Sequence, residues 1–220
     1  MSADPEIARQ FAAVGLPIVY LDAALVVVNK PSGLLSVPGR GADHQDCVAA
    51  RVQAVLAEAL IVHRLDMETS GLMLLARGKE VQRRLSIAFQ ERHVDKAYQA
   101  VVDGQPAADY GEIDLPLITD WPNRPRQIVD FELGKPSFTR YRVLAKHGDR
   151  ARVALEPKTG RSHQLRVHMQ ALGHPILGDA LYAHPSARAK ATRLLLHATR
   201  LDFQHPLSGQ ALQLASEAPF

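Results

Sequence analysis

The apolar residues of this chain fall in short runs of two kinds, and their spacing predicts the order of its elements. Residues 18–21 (IVYL) and 25–29 (LVVVN) are β-rich runs separated by Asp22, Ala23 and Ala24, which predicts a hairpin. Lys30-Pro31-Ser32-Gly33 ends the second strand. Val37-Pro38-Gly39-Arg40-Gly41 continues as irregular loop, because proline cannot donate to a ladder and glycine accepts positive φ. Asp46 is expected to cap a helix that carries Val48, Val52, Val55 and Leu56 at helical spacing. Residues 72–76 are continuously apolar and predict a strand, and residues 79–92 repeat Val81, Leu85, Ala88 and Phe89 as one helical face. Residues 96–102 alternate as a strand, after which Pro and Gly punctuate a looser stretch to about residue 136. Residues 139–144 and 152–155 read as a second antiparallel pair, and 162–172 as a helix stopped by Gly173 and Pro175. Residues 194–203 and 210–214 read as closing strands. Strands dominate and helices do not follow each of them, so the expected class is α+β with a mixed or mostly antiparallel sheet, in one domain over residues 1–220.

Composition narrows the class. With 220 residues, 46% hydrophobic and 22% charged, the chain is of the soluble globular type and long enough for a substantial core. Cys47 is the only cysteine, which excludes an intramolecular disulfide and a thiolate cluster and suits a reducing cytosol. The first residues are acidic where a signal peptide would be basic, and no apolar run is long enough to span a bilayer, so a cytoplasmic protein without a membrane segment is expected. The net charge of +3 conceals an uneven spread: residues 121–170 hold 11 basic and 4 acidic side chains, whereas residues 61–120 hold 7 and 10. Nineteen of the 26 basic residues are Arg, which suits planar contact with phosphate. Charge alone fits a polyanion partner or a solvated face balanced elsewhere.

Two segments are dense in chemistry. In His63-Arg64-Leu65-Asp66-Met67-Glu68-Thr69-Ser70-Gly71, Asp66 has the chemistry of a nucleophile, a general base or a metal ligand. It also suits a loop cap accepting the amides of Thr69 or Ser70. A glycosidase would need a second carboxylate across the scissile bond, for which Glu68 is badly placed, and an aspartyl-phosphate enzyme would need a magnesium cluster that no later motif supplies. The second segment runs from Thr159 to His168, TGRSHQLRVH. A helix starting near Ser162 would put Arg161 at its entrance and Ser162 and Arg166 on one face, with Leu165 and Met169 toward the core. His163 and His168, five apart, do not share a face well, so no metal site is expected there.

These segments, with the run Val28 to Leu34, the Lys96-x-Tyr98 step, GHPILGD from Gly173 and Leu196-His197-Ala198, resemble the RluA family of pseudouridine synthases in content, order and spacing. The resemblance covers roughly residues 18–203. It implies the pseudouridine synthase fold, a bent sheet flanked by helices and loops with an RNA-binding cleft. Residues 120–144 look most like the type that modifies both a transfer RNA anticodon stem-loop and a 23S ribosomal RNA hairpin, and the first strand begins too early for an N-terminal S4 domain.

The resemblance further implies isomerisation of uridine in RNA without cofactor or metal. Asp66 matches the catalytic aspartate, Arg166 the arginine that pairs with it, and Tyr98 the tyrosine that stacks on the target base, while Leu196 lines the pocket. Arg64 matches the residue that fills the space left by the flipped uridine. Arg124, Arg126, Arg140, Arg142 and Arg161 are expected to contact phosphates. Expected partners are transfer RNA and 23S ribosomal RNA, bound by a monomer with no obligatory protein partner and no membrane. The alternatives are a synthase of the same family for a different transfer RNA position, a non-catalytic RNA-binding module, and an Asp-dependent phosphohydrolase.

Overall fold

A computed structural model describes residues 5–220. The chain forms two compact units, one of Met1–Asp95 with Ala198–Pro219, the other of Lys96–His197 with Phe220.

In the first unit, helix α1 (Pro5–Ala13) precedes the hairpin β1 (Ile18–Leu21) and β2 (Leu25–Lys30). After a 3-10 turn at Ala42–His44 come α2 (Val48–Gln53), β3 (Ala59–Ile61), β4 (Ser70–Arg77) and α3 (Lys79–Gln90). Strand β4 pairs antiparallel with β2, from Leu25 opposite Ala76 to Lys30 opposite Gly71, and with β3. Seven of its eight residues are buried, as its unbroken apolar run requires. Leu72, Leu74 and Ala76 pack with Val81 and Leu85 of α3.

Gly71 has φ +112°, and a Cβ there would stand 2.3 Å from the Ala198 carbonyl oxygen, so only glycine lets these backbones approach. Asp46 does not cap α2. The chain stays extended through Cys47, whose sulfur accepts from the Ala50 amide. Asp46 instead forks with Arg51 at 2.7 and 2.6 Å. The Val48 and Ala49 amides donate to the carbonyls of Leu35 and Ser36, so the helix start is satisfied by backbone. The helix ends at Gln53, short of Val55 and Leu56.

In the second unit, β5 (Asp95–Asp103), β6 (Tyr110–Asp114), β9 (Phe138–His147) and β10 (Arg150–Pro157) form an antiparallel array in the order β5-β10-β9-β6. A separate hairpin is made by β7 (Leu117–Thr119) and β8 (Gln127–Val129). The stretch expected to be loose therefore holds three short strands, hidden because none is long enough to show an alternating pattern. Helices α4 (Gln164–Ala171) and α5 (Pro185–Ala189) follow. Strand β11 (Leu196–Gln204) then carries the chain into the first unit, where it pairs antiparallel with β12 (Ala211–Ala215). Helix α4 starts two residues later than expected because His163 adopts φ +54°, ψ 14° and ends the loop in a left-handed turn. Ser162 is thus outside the helix and does not share a helical face with Arg166, whereas Leu165 and Met169 do enter the core with Val153, Leu155 and Ile176.

Candidate active site

The loop between β3 and β4 is held by its carbonyl oxygens. Leu65 O accepts from Ser36 Oγ at 2.6 Å and Glu68 O from Ser32 Oγ at 2.8 Å. Met67 O accepts from the Gly33 amide at 2.9 Å and from Lys30 Nζ at 2.8 Å, and Thr69 O also accepts from Lys30 Nζ at 2.8 Å. Asp66 O accepts from the Thr69 amide at 3.1 Å, which closes the turn. Five successive carbonyls, 65 to 69, are thereby fixed from the Lys30–Ser36 segment and from within the turn. Lys30 is fully buried and gives a further hydrogen bond to Pro31 O at 2.9 Å, matching the three donors of an ammonium. Lys30-Pro31-Ser32-Gly33 reads from sequence as a strand end. Its role as the brace of the Asp66 loop appears only when the register of β2 on β4 sets Lys30 opposite Gly71.

His63 braces the same loop: Nε2 accepts the Leu74 amide at 2.9 Å and the ring stacks on Phe89 at 4.6 Å. Asp66 is half-buried and Arg64 exposed. The Arg64 guanidinium has no hydrogen-bond or ion-pair partner among the described residues.

In the second unit, Arg166 is 4% exposed and forks onto Asp179 through Nε at 2.8 Å and Nη2 at 2.7 Å. Asp179 Oδ1 also accepts the amides of Leu181 and Tyr182, so one fully buried carboxylate sets the guanidinium plane. Tyr182 completes the bracket. Its ring lies 5.0 Å from Arg166 and 5.6 Å from Arg126, and its hydroxyl is 2.6 Å from His163 Nδ1 while accepting the Gln127 amide at 2.8 Å. Asp179 belongs to the GHPILGD run that carries the resemblance, but no spacing rule marks it as the partner of Arg166. Gln164 organises the preceding loop, accepting Thr159 Oγ1 and the Arg161 amide and donating to Phe138 O and Thr139 Oγ1.

Tyr98 is half-buried on β5, packed against the core that includes Leu196. Arg140 and Arg142 project from the exposed face of β9, Arg140 paired with Glu112 at 3.0 Å. Arg161 is exposed and donates through Nε to Pro136 O, and Arg124 lies over the Trp121 ring. The expected RNA contacts in this unit thus divide among a bracket at Tyr182, a hairpin tip, a strand face and the loop before α4. Residues 96–197 carry 15 Lys and Arg against 10 Asp and Glu, so the basic excess belongs to this unit. Among the described residues, no three His, Cys, Asp or Glu side chains group to hold a metal ion.

Two histidines of these motifs are structural. His168 is fully buried, its Nδ1 2.9 Å from Thr139 Oγ1 and its Nε2 3.1 Å from Leu115 O, and burial lowers its pKa. Burial, reinforced by the Arg193 charge, pushes His197 from 6.5 to about 4. Between those values the unfolded chain binds a proton that the folded chain refuses, so stability is full above pH 6.5 and falls as the pH drops toward 4. His197 alone should remove on the order of 3 kcal/mol across that window. Chemical denaturation against pH checks this: the acid limb should flatten in His197→Gln, and an unchanged limb would refute the assignment.

The chain matches the family model for RNA pseudouridylate synthase over residues 24–171. It is 54% identical over 206 residues to the dual-specificity RNA pseudouridine synthase RluA of Escherichia coli (strain K12), covering 93% of this chain and 94% of that one. It is 50% identical to the protein of the same name from Haemophilus influenzae, again over 93% of this chain and 94% of the relative. Among solved structures, human RNA pseudouridylate synthase domain containing 1 superposes with a TM-score of 0.78 at 31% identity, over 93% of this chain and 84% of that one. Human RNA pseudouridylate synthase domain containing 4 gives the same TM-score, 0.78, at 27% identity, over 97% of this chain and 93% of that one. By sequence and by fold, the chain belongs to the RNA pseudouridylate synthase family, enzymes that isomerise uridine in RNA.

Proposed function

We propose that this synthase acts on two RNA classes, a transfer RNA anticodon stem-loop and a hairpin of 23S ribosomal RNA, with Asp66 as its nucleophile. In the reaction the bond from C1′ to N1 breaks, the uracil turns, and C5 joins C1′; a proton leaves C5 and N1 is protonated. The observation that carries the assignment of Asp66 is the clamped loop, whose five consecutive carbonyls are hydrogen-bonded. A carboxylate on so fixed a backbone meets the electron-poor sugar or ring carbon with little reorganisation. Arg166, its guanidinium plane set by Asp179, serves as a pre-oriented cation for the reaction. Tyr98 stacks on the base and Leu196 lines the pocket.

Arg64 enters the space vacated by the flipped uridine. Unstacking costs about a few kcal/mol, and a planar cation both stacks and hydrogen-bonds in the gap. Arg64→Lys should therefore lower kcat on a structured stem-loop about tenfold or more while leaving nonspecific RNA binding nearly unchanged. Single-turnover kinetics beside filter binding checks this, and an unaltered kcat would remove the flipping role. Arg124, Arg126, Arg140, Arg142 and Arg161 supply phosphate contacts. The working form is a cytoplasmic monomer with no obligatory protein partner.

The substrate reading is tested by incubating the purified protein separately with an anticodon stem-loop and a 23S hairpin. Both should gain pseudouridine; conversion of only one would restrict the enzyme to that class. No described helix is long and apolar enough to cross a membrane.

A further inference from the structure

Trp121 is the chain's only tryptophan, and it is 65% exposed. It stands at the tip of the β7–β8 hairpin, where an indole normally seeks burial. The tip is a built structure. Asp120 N donates to Arg126 O at 3.0 Å, Asn123 N to Asp120 O at 3.1 Å and Arg126 N to Asn123 O at 3.1 Å. Asn123 Nδ2 occupies the Asp120 carboxylate at 2.9 Å. Arg124 lies with its guanidinium carbon 4.8 Å from the indole centre, and its Nε donates to the Trp121 carbonyl at 3.2 Å. No carboxylate pairs with Arg124 among the described residues, so the outer edge of its guanidinium is open to a phosphate.

An aromatic face open to solvent and a cation fixed beside it match the two parts of a nucleotide, a base to stack and a phosphate to neutralise. Because the tip is already ordered, little entropy is lost on binding. The basic excess of this unit favours RNA over an acidic or apolar protein surface as the occupant.

We propose that the hairpin tip at residues 120–126 is a second RNA-reading element. The Trp121 indole stacks on an unpaired base other than the reacting uridine, and Arg124, lying on the opposite face of the ring, takes the adjoining phosphate. The inference rests on the chain's being an RNA enzyme and is independent of the role of Asp66.

The single tryptophan makes the test direct. Titrating the wild-type protein and Asp66→Asn with a modifiable stem-loop RNA should quench indole emission, with the same midpoint as anisotropy of the labelled RNA. Trp121→Ala should raise KM and the dissociation constant about tenfold or more with kcat retained, and Trp121→Phe should recover most of the loss. Arg124→Gln should reduce the slope of log affinity against log salt by about one, which Trp121→Ala leaves unchanged. Phe131 is 77% exposed in the turn after β8 and has no cation over its ring among the described residues, so Phe131→Ser serves as control and should leave KM unaltered. Unchanged emission at saturating RNA, or an equal rise in KM for Phe131→Ser, would overturn the proposal. The first would leave the tip to a protein partner; the second would reduce the effect to a general loss of apolar surface.

Discussion

Asp66→Asn should abolish pseudouridine formation, lowering single-turnover rates by about four orders of magnitude or more, while RNA binding stays within a few-fold of wild type. The effect originates in the backbone. The turn from Asp66 to Thr69 is closed by the Asp66 carbonyl, and the neighbouring carbonyls are held by Lys30, Ser32, Gly33 and Ser36. An isosteric amide keeps these backbone hydrogen bonds while removing the nucleophilic carboxylate. The backbone clamp should keep the variant folded at assay temperature. Thermal melting beside rapid-quench kinetics separates the two effects, and a rate within tenfold of wild type would exclude Asp66 from the chemistry.

The second large effect falls on Lys30, which touches no substrate in this account. Lys30→Met keeps the length of the side chain and removes three hydrogen bonds at once, leaving Pro31 O and Thr69 O without this donor while Met67 O keeps the Gly33 amide. An unsatisfied buried polar group costs about 1–3 kcal/mol, and part of that is recovered by relaxation, so the loss should be about 2–4 kcal/mol. For a chain of this size that corresponds to a fall in melting temperature of roughly 4–16 °C. Relaxation of the loop moves Asp66, so kcat should also fall, about a hundredfold, at temperatures where the variant remains fully folded. A variant that melts early but turns over normally would confine Lys30 to a structural role.

How far the sequence disclosed this arrangement depended on whether each signal was local. The run Leu72 to Ala76 marks β4 because a strand buried on both faces needs unbroken apolar residues, and α3 is marked by Val81 and Leu85 one turn apart. The start of α4 is hidden because His163 takes a left-handed conformation that its residue type does not announce, with Gln164 tying the loop to β9. Asp46 is a good capping residue in the wrong place, since the backbone of Leu35 and Ser36 already serves the first amides of α2. Strands β6 to β8 are five residues or fewer, below the length at which alternation shows.

For the site, motif resemblance points to Asp66, Tyr98, Arg166 and Arg64. It does not show that Lys30 braces one of them or that Asp179 orients another, because both are tertiary facts. Lys30 meets Met67 and Thr69 across 37 and 39 residues, and Asp179 meets Arg166 across 13.

Isomerisation of uridine in RNA with Asp66 as nucleophile is tested most directly by mapping pseudouridine in transfer and ribosomal RNA. The RNA would come from cells lacking the protein, supplied with the wild-type chain, with Asp66→Ala, or with neither. Sites in both RNA classes should appear with the wild type and be missing from the other two. Full restoration of those sites by Asp66→Ala would exclude Asp66 as the nucleophile.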